Sequence, residues 1–177
     1  MMKVITGSLR GRVVQTLDGE ATRPTTQRVK EALFSAIQFD IEGRRVLDAF
    51  AGSGQLGIEA ISRGAASCVF VDSNRQAAEV VRKNVTALGI GAVSTVLCQD
   101  TVQFLTRTSE KFDIVFLDPP YASGLLEPAL LASANLLNEG GFIVCESDTE
   151  TVLPETVGAL SLHRSYRYSH VKLWIYR

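Results

Sequence analysis

The stretch RVLDAFAGSGQLGIEA, residues 45–60, passes from an apolar run into a glycine-rich loop and then into a second apolar segment. Gly52 and Gly54 let the backbone turn tightly and approach a ligand closely, while Gly57 permits close packing of the helix that begins beside it. The G-x-G-x-x-G spacing alone is a weak signal. The order of strand, glycine loop and helix nevertheless predicts an α/β fold with a nucleoside-binding loop.

The rest of the chain supports this fold, because short β-rich runs alternate with helical patterns. The predicted strands are Arg45–Phe50, Ser67–Asp72, Val93–Cys98, Phe112–Leu117 and Gly141–Glu146. The helical patterns lie near 55–63, 74–88, 100–107 and 124–137. Strands that are apolar almost throughout indicate a parallel sheet covered on both faces.

The two ends of the chain depart from this alternation. Leu160–Tyr168 and His170–Tyr176 are adjacent strand-like runs, which predicts an antiparallel C-terminal hairpin and a mostly parallel, Rossmann-like sheet of seven strands. Residues 3–5 and 12–17 predict an N-terminal β-hairpin, and a helix is expected near 26–38. We expect one domain over residues 1–177, with a hairpin extension (1–22), an arm and helix (23–40) and a core (41–177).

Composition excludes several classes of protein. No segment approaches the roughly 20 apolar residues needed to span a bilayer, so a cytoplasmic protein is expected. Cys68, Cys98 and Cys145 are far apart and strand-associated, which favours buried free thiols over disulfides or a metal cluster. With two histidines in the chain, no metal site is predicted.

Charge is unevenly distributed along the chain. The net charge is -1, but residues 1–30 carry six basic and two acidic side chains, and residues 160–177 carry four basic side chains and no acid. Two basic ends around an acidic centre could present a positive face to phosphate, although scattered solvated charges are an alternative.

Acidic residues lie at the tips of the first four predicted core strands. Asp48 is unsuited to a pyrophosphate and favours a cationic amino-acid group, such as the methionine end of S-adenosylmethionine. Asp72 is placed to accept hydrogen bonds from ribose hydroxyls, and Asp100-Thr101 could contact adenine. Each acid alone could be a helix cap or a turn residue, but acids at the tips of four strands together predict a ligand site.

The fourth strand ends in Asp118-Pro119-Pro120-Tyr121. The prolines fix the direction of nearby carbonyl groups, so the Asp118 carboxylate and the Pro119 carbonyl could hold both hydrogens of an exocyclic amine while Tyr121 stacks on its ring. An ordinary strand-to-loop turn is the alternative.

These motifs resemble those of class I S-adenosylmethionine-dependent amino-methyltransferases. The N-terminal segments ITGSLRGR (5–12) and RPTTQRVKEALF (23–34) resemble, more specifically, the RsmD-type 16S ribosomal RNA (guanine-N2)-methyltransferases. The resemblance implies methylation of the exocyclic N2 amine of one guanosine, position 966 of 16S rRNA, in the assembled small subunit.

The resemblance also implies roles for individual residues. The catalytic loop would be Asp118, Pro119, Pro120 and Tyr121. RNA would be held by Arg10, Arg12 and Arg28. The cofactor would be bound by Arg23, Thr25, Asp48, Phe50, Gly52, Ser53, Gly54, Asp72, Ser73, Asp100 and Thr101. We expect a monomer that needs neither a metal nor a membrane.

Three other functions compete with this interpretation. An adenine-N6 methyltransferase acting on DNA, or an enzyme for another RNA, could use the same acid-Pro-Pro-aromatic loop. A binding module could keep the nucleoside fold without catalysis, although the complete loop at 118–121 argues against it. A nucleotide-dependent oxidoreductase is disfavoured by Asp48.

Overall fold

The computed structural model describes residues 2–17, 24–121 and 123–177, the side chains of 24–26 excepted. The helices are α1 (Pro24–Ala36), α2 (Gln55–Ser62), α3 (Arg75–Leu88), α4 (Thr101–Arg107) and α5 (Leu126–Ala134), with a short 3-10 helix at Gly91–Val93. The strands are β1 (Met2–Lys3), β2 (Val13–Val14), β3 (Arg45–Ala49), β4 (Ser67–Asp72), β5 (Ser94–Cys98), β6 (Phe112–Leu117), β7 (Leu137–Asp148), β8 (Thr156–Val157), β9 (Leu160–Tyr168) and β10 (Val171–Tyr176).

The main sheet has the strand order β5-β4-β3-β6-β7-β10-β9-β8. The first five strands in this order are parallel, and β10 is antiparallel to both β7 and β9. The predicted Rossmann-like sheet with an antiparallel C-terminal hairpin is therefore confirmed. The two-residue edge strand β8 is an addition to the seven expected strands.

Strand β7 extends beyond the predicted Gly141–Glu146 in both directions. At its beginning Leu137 pairs with Phe112, and at its end Asp148 pairs with Val171 of β10. Because β7 begins at Leu137, α5 ends at Ala134, before the predicted boundary at 137. The N-terminal hairpin is present, but its ladder joins only Met2–Lys3 to Val13–Val14.

Helices cover both faces of the sheet. One core joins α1, α2 and α3 to side chains such as Phe70 and Phe116, and the Phe34 ring meets Phe116 edge-on at 5.8 Å between centroids. The other joins α4 and α5 to side chains such as Val115 and Trp174. This burial on both faces explains the nearly continuous apolar strands.

The N-terminal hairpin is held mainly by contacts with α2. The fully buried Glu59 carboxylate accepts hydrogen bonds from the backbone N–H groups of Ile5 (2.9 Å) and Thr6 (3.0 Å). The Ser62 carbonyl accepts from Ser8 N–H at 2.8 Å, and the Ser62 hydroxyl accepts from Leu9 N–H at 3.0 Å. These long-range bonds explain why a two-residue ladder is sufficient to place the hairpin.

The cysteines follow the expectation in part. Cys68 and Cys145 are buried free thiols, whereas Cys98 is exposed. The expectation of burial is therefore wrong for Cys98, because it ends β5, the edge strand of the sheet. No helix in the described ranges is long and apolar enough to cross a membrane.

Gly57 is required for the contact between α2 and β4. A Cβ atom at this position would lie 2.3 Å from Phe70 Cε1 and 2.6 Å from Cys68 Sγ. We expect Gly57→Ala to lower the free energy of unfolding by about 1–3 kcal/mol, since overpacking a tight contact forces side chains or backbone to shift. Urea denaturation followed by circular dichroism measures the loss.

Gly91→Ala is the matched control, because a Cβ atom at Gly91 meets nothing within 4 Å. Its effect should stay within about 0.5 kcal/mol. Equal stabilities of the two variants would contradict the close packing assigned to Gly57.

Candidate active site

A cavity of about 610 Å³ lies at the carboxyl edge of the parallel strands. Its walls come from β3, β4 and β7, from the loops after β3, β4, β5 and β6, and from the first four helices. Because parallel strands end at the same edge, residues far apart in sequence meet there, which is the usual ligand position in open α/β sheets.

Most of the predicted site residues face this cavity. Its lining includes Asp48, Phe50, Gly52, Ser53, Asp72, Ser73, Asp100, Thr101, Asp118, Pro119, Pro120 and Tyr121. Gly54 is instead the N-cap of α2, where its φ of 80° favours glycine. One cavity therefore brings together the two motifs that the sequence placed about 60 residues apart.

Two carboxylates fix the glycine loop. Asp48 Oδ2 accepts a hydrogen bond from Gly57 N–H at 2.9 Å, and Asp72 Oδ2 accepts one from Gly52 N–H at 2.8 Å. The acids at the tips of β3 and β4 thus shape the loop in addition to facing the cavity.

The Asp48 carboxylate is almost completely buried, with 2% exposure. Burial raises its pKa from 3.8 to about 7, the Gly57 hydrogen bond opposes this shift, and the nearby Asp72 charge adds to it. A cationic ligand in the cavity would favour the charged form of Asp48.

Asp72 and Asp100 have local structural partners as well. Asp72 Oδ1 accepts from Asn74 N–H at 2.8 Å, and Asp100 Oδ1 accepts from Gln103 N–H at 2.7 Å as the N-cap of α4. Asp100 therefore both caps α4 and lines the cavity. A carboxylate has about four lone-pair sites, so these bonds leave capacity for a ligand.

The loop after β6 presents Asp118 and Tyr121 to the cavity. The Tyr121 side chain is 40% exposed, and its hydroxyl donates a hydrogen bond to Glu146 Oε1 at 2.8 Å. Burial and the neighbouring Glu146 carboxylate raise the pKa of Tyr121, so the phenol stays protonated as a donor. This bond gives the Tyr121 ring a defined orientation beside Asp118.

Two further ionisable residues line the cavity, and neither was predicted as a site residue from the sequence. Lys30 of α1 is 5% exposed, and its Nζ lies 3.6 Å from Glu59 Oε2. Burial lowers the pKa of Lys30, with Glu59 opposing this shift. Glu146 near the end of β7 also faces the cavity, and burial raises its pKa. An acid at a strand tip was the signal used for Asp118 and could have identified Glu146.

Asn84 connects the N-terminal segment to the glycine loop. Its Nδ2 donates to the carbonyls of Gln15 (2.9 Å) and Ser53 (3.0 Å), and its Oδ1 accepts from Gln15 N–H at 2.8 Å. Leu17, two residues beyond Gln15, lines the cavity. A polar residue on the otherwise apolar buried face of α3 was the available sequence signal.

The basic residues predicted to hold RNA lie elsewhere. Arg10 and Arg12 are exposed at the hairpin, and Arg12 donates to the Ala87 carbonyl at 2.9 Å, near the C-terminal end of α3. Arg28 is exposed on α1. None of the three is among the residues lining the cavity. Arg23 and the Thr25 side chain lie outside the described part of the chain.

The cavity suits a ligand that combines a cation, hydroxyl groups and an aromatic base. The carboxylates of Asp48 and Asp72 suit an ammonium group and ribose hydroxyls, and the buried Lys30 suits a carboxylate. S-Adenosylmethionine has all of these groups. Among the described residues, no three His, Cys, Asp or Glu side chains are grouped so that they could hold a metal ion.

The named proteins to which this chain is similar are methyltransferases. Residues 2–177 match the family model described as Conserved hypothetical protein 95. The chain is 36% identical to the Ribosomal RNA small subunit methyltransferase D of Escherichia coli, over 99% of this chain and 89% of that protein. It is 41% identical to YlbH of Bacillus subtilis, named provisionally as an rRNA methyltransferase, over 99% and 98% of the two chains. The solved structure of Escherichia coli yhhF superposes with a TM-score of 0.88 at 37% identity, over 99% and 96% of the two chains.

Replacing Asp48 should change how stability depends on pH. Because the pKa of Asp48 is about 7 in the folded chain and near 3.8 when exposed, the folded state binds more protons between these values. Its stability therefore falls as pH rises from about 4 to about 7. Asp48→Asn removes this contribution because the amide does not titrate. The amide oxygen can still accept the hydrogen bond from Gly57 N–H.

We expect cofactor-free Asp48→Asn to be more stable than the unsubstituted chain at pH 8 by roughly 2–4 kcal/mol, and about equal to it at pH 4. Urea denaturation across this range measures the difference. Parallel stability profiles for the two proteins would contradict the burial assigned to the charge.

Proposed function

This chain belongs to the family described as Conserved hypothetical protein 95, the RsmD family, and we propose that it methylates the N2 amine of a guanine in 16S rRNA. It is an S-adenosylmethionine-dependent methyltransferase. The observation that carries the proposal is that the glycine loop and the 118–121 loop face one cavity. The alternative substrate, adenine in DNA, has no comparable support.

The target amine needs orientation more than deprotonation. Its lone pair is delocalised into the guanine ring, so acceptors for both N–H bonds would favour a pyramidal nitrogen. Asp118 and Pro119 line the cavity, and the Asp118 carboxylate and the Pro119 carbonyl can act as these acceptors. Asp118 can then take or relay the proton released after transfer.

Alignment supplies much of the rate. S-Adenosylmethionine provides a methyl group already activated on a sulfonium, so the protein has to hold the amine in line with it. Holding two reactants in attack geometry is worth roughly 7–11 kcal/mol of barrier. The fixed carbonyl directions of the two prolines and the hydrogen-bonded Tyr121 suit this role.

The guanine would have to leave its stack to enter the cavity, at a cost of a few kcal/mol. Tyr121, at the cavity rim, can offset that cost by stacking on the extruded base. Arg10, Arg12 and Arg28 would contact phosphates and so fix the register of the RNA without reading its bases. We assign the assembled small subunit in the cytoplasm as the substrate, methylated at position 966 by a monomer.

At the other end of the cavity, we assign the cofactor groups by charge. Asp48 would face the ammonium, Asp72 the ribose hydroxyls, and Asp100 with Thr101 the adenine. Among the described residues, Lys30 is the one lysine or arginine that lines the cavity. Its partner at 3.6 Å, Glu59, also interacts with Arg63 and two backbone N–H groups. Lys30 can therefore accept a second anion, the methionine carboxylate.

Asp118→Ala should reduce methyl transfer at least about 100-fold, because the amine loses its charged acceptor. Affinity for S-adenosylmethionine should change less than about threefold, since Asp118 is assigned to the base. Tritium transfer to small subunits and calorimetric titration with the cofactor measure the two effects. Asp118→Asn, which keeps one acceptor oxygen, is the control and should retain more activity; equal losses of binding and transfer would refute the assignment of the loop.

Lys30→Met should weaken cofactor binding by roughly 10-fold to 100-fold, which is the range for a hydrogen bond to a charged group. Transfer at saturating cofactor should change little. Calorimetry with S-adenosylmethionine and with its decarboxylated analogue separates the carboxylate from the rest of the molecule. If the substitution weakened the two ligands equally, Lys30 would not be the carboxylate partner.

A further inference from the structure

Glu146 and Asp118 stand side by side at the cavity edge. In the parallel pairing of β6 and β7, Leu117 pairs with Cys145; Asp118 directly follows Leu117, and Glu146 directly follows Cys145. Neighbouring strands are about 4.8 Å apart. Both side chains line the cavity, so two carboxylates can meet adjacent positions on one bound ring.

One oxygen of Glu146 is already engaged. Tyr121 O–H donates to Oε1 at 2.8 Å, which fixes the carboxylate relative to the ring assigned to stack on the base. A carboxylate can accept about four hydrogen bonds. Glu146 therefore retains acceptor capacity for a donor brought in by a ligand.

The surroundings of Glu146 make such a donor favourable. Burial raises the pKa of Glu146, while the Tyr121 hydrogen bond and the nearby His170 lower it. A carboxylate held away from water gains more from an additional hydrogen bond than an exposed one does. The hydrogen-bond partner described for this carboxylate, Tyr121, belongs to the same cavity wall.

We propose that Glu146 accepts a hydrogen bond from N1–H of the target guanine and thereby selects guanine over adenine. The inference rests on the proposed guanine-N2 activity. Guanine presents two neighbouring donors, N1–H and the N2 amine, and these match Glu146 and Asp118. Adenine presents its amine beside an unprotonated N1, which would place two acceptors against each other and give Glu146 no donor from the base.

The purine 2-aminopurine isolates the N1 contact, since it keeps the amine at C2 and lacks the N1 hydrogen. A 16S rRNA joined from synthetic and transcribed segments, with guanine or 2-aminopurine at the methylated position, can be reconstituted into small subunits. We expect the unsubstituted enzyme to methylate guanine at least about 100-fold faster, measured as kcat/KM. 2-Aminopurine also lacks the 6-oxo group, so this preference alone does not identify Glu146.

Glu146→Gln provides the identification. The amide oxygen can still accept from Tyr121, and the amide N–H₂ can donate to the unprotonated N1 of 2-aminopurine. We expect kcat/KM to fall about 100-fold on guanine and to rise on 2-aminopurine. The ratio of kcat/KM on guanine to kcat/KM on 2-aminopurine should therefore fall by more than about 100-fold. A role limited to supporting the fold would lower both rates by the same factor.

Tyr121→Phe is the matched control, because it removes the hydroxyl that meets Glu146 and keeps the ring. It should lower both rates while preserving the preference for guanine. Circular dichroism melting of each variant confirms that the proteins are folded. An unsubstituted enzyme that treats both bases alike, or a Glu146→Gln variant with an unchanged preference, overturns the inference but leaves guanine methylation intact. No transfer to guanine by the unsubstituted enzyme overturns both proposals.

Discussion

The parallel register of β3, β4, β6 and β7 brings several carboxylates to one edge of the sheet. Burial removes Asp48 from water, and the nearby Asp72 charge adds a smaller repulsion, which is why the pKa of Asp48 rises to about 7. The chain offsets this cost with donors directed at the acids, such as Gly57 N–H at Asp48 and Gly52 N–H at Asp72. The same hydrogen bonds fix the glycine loop. Asp48 and Asp72 therefore supply negative charge for a cationic ligand and also determine the shape of the loop that binds it.

A second set of contacts joins the N-terminal segment to this edge. Glu59 holds the hairpin backbone and the Lys30 ammonium, and Asn84 joins Gln15 to Ser53 in the glycine loop. The residues that surround the methionine end of the cofactor in our proposal are therefore supported by a segment that precedes the sheet in sequence. Displacement of that segment would affect the cavity through Asn84 and Lys30 as well as through Leu17.

Much of the architecture could be predicted from local patterns. Apolar runs predicted the core strands because both faces of the sheet are covered. Acids at the tips of these strands predicted the cavity because parallel strands end at the same edge. The roles of Glu59 and Asn84 could not be predicted in this way, since their backbone partners in the N-terminal segment are 53 to 69 residues away. Nor could the burial of Lys30, which depends on how α1 packs near α2. The sequence likewise does not reveal that Asp48 serves its own loop as well as the cavity.

The way the sheet ends also affects how copies of the chain behave together. Strand β8 has only two residues, and its pairing with β9 stops at Ser161, which leaves the exposed Arg164 and Arg167 farther along that strand. Short edge strands and edge charges discourage pairing between sheets of different molecules. This edge of the sheet is therefore protected against the intermolecular strand pairing that leads to aggregation.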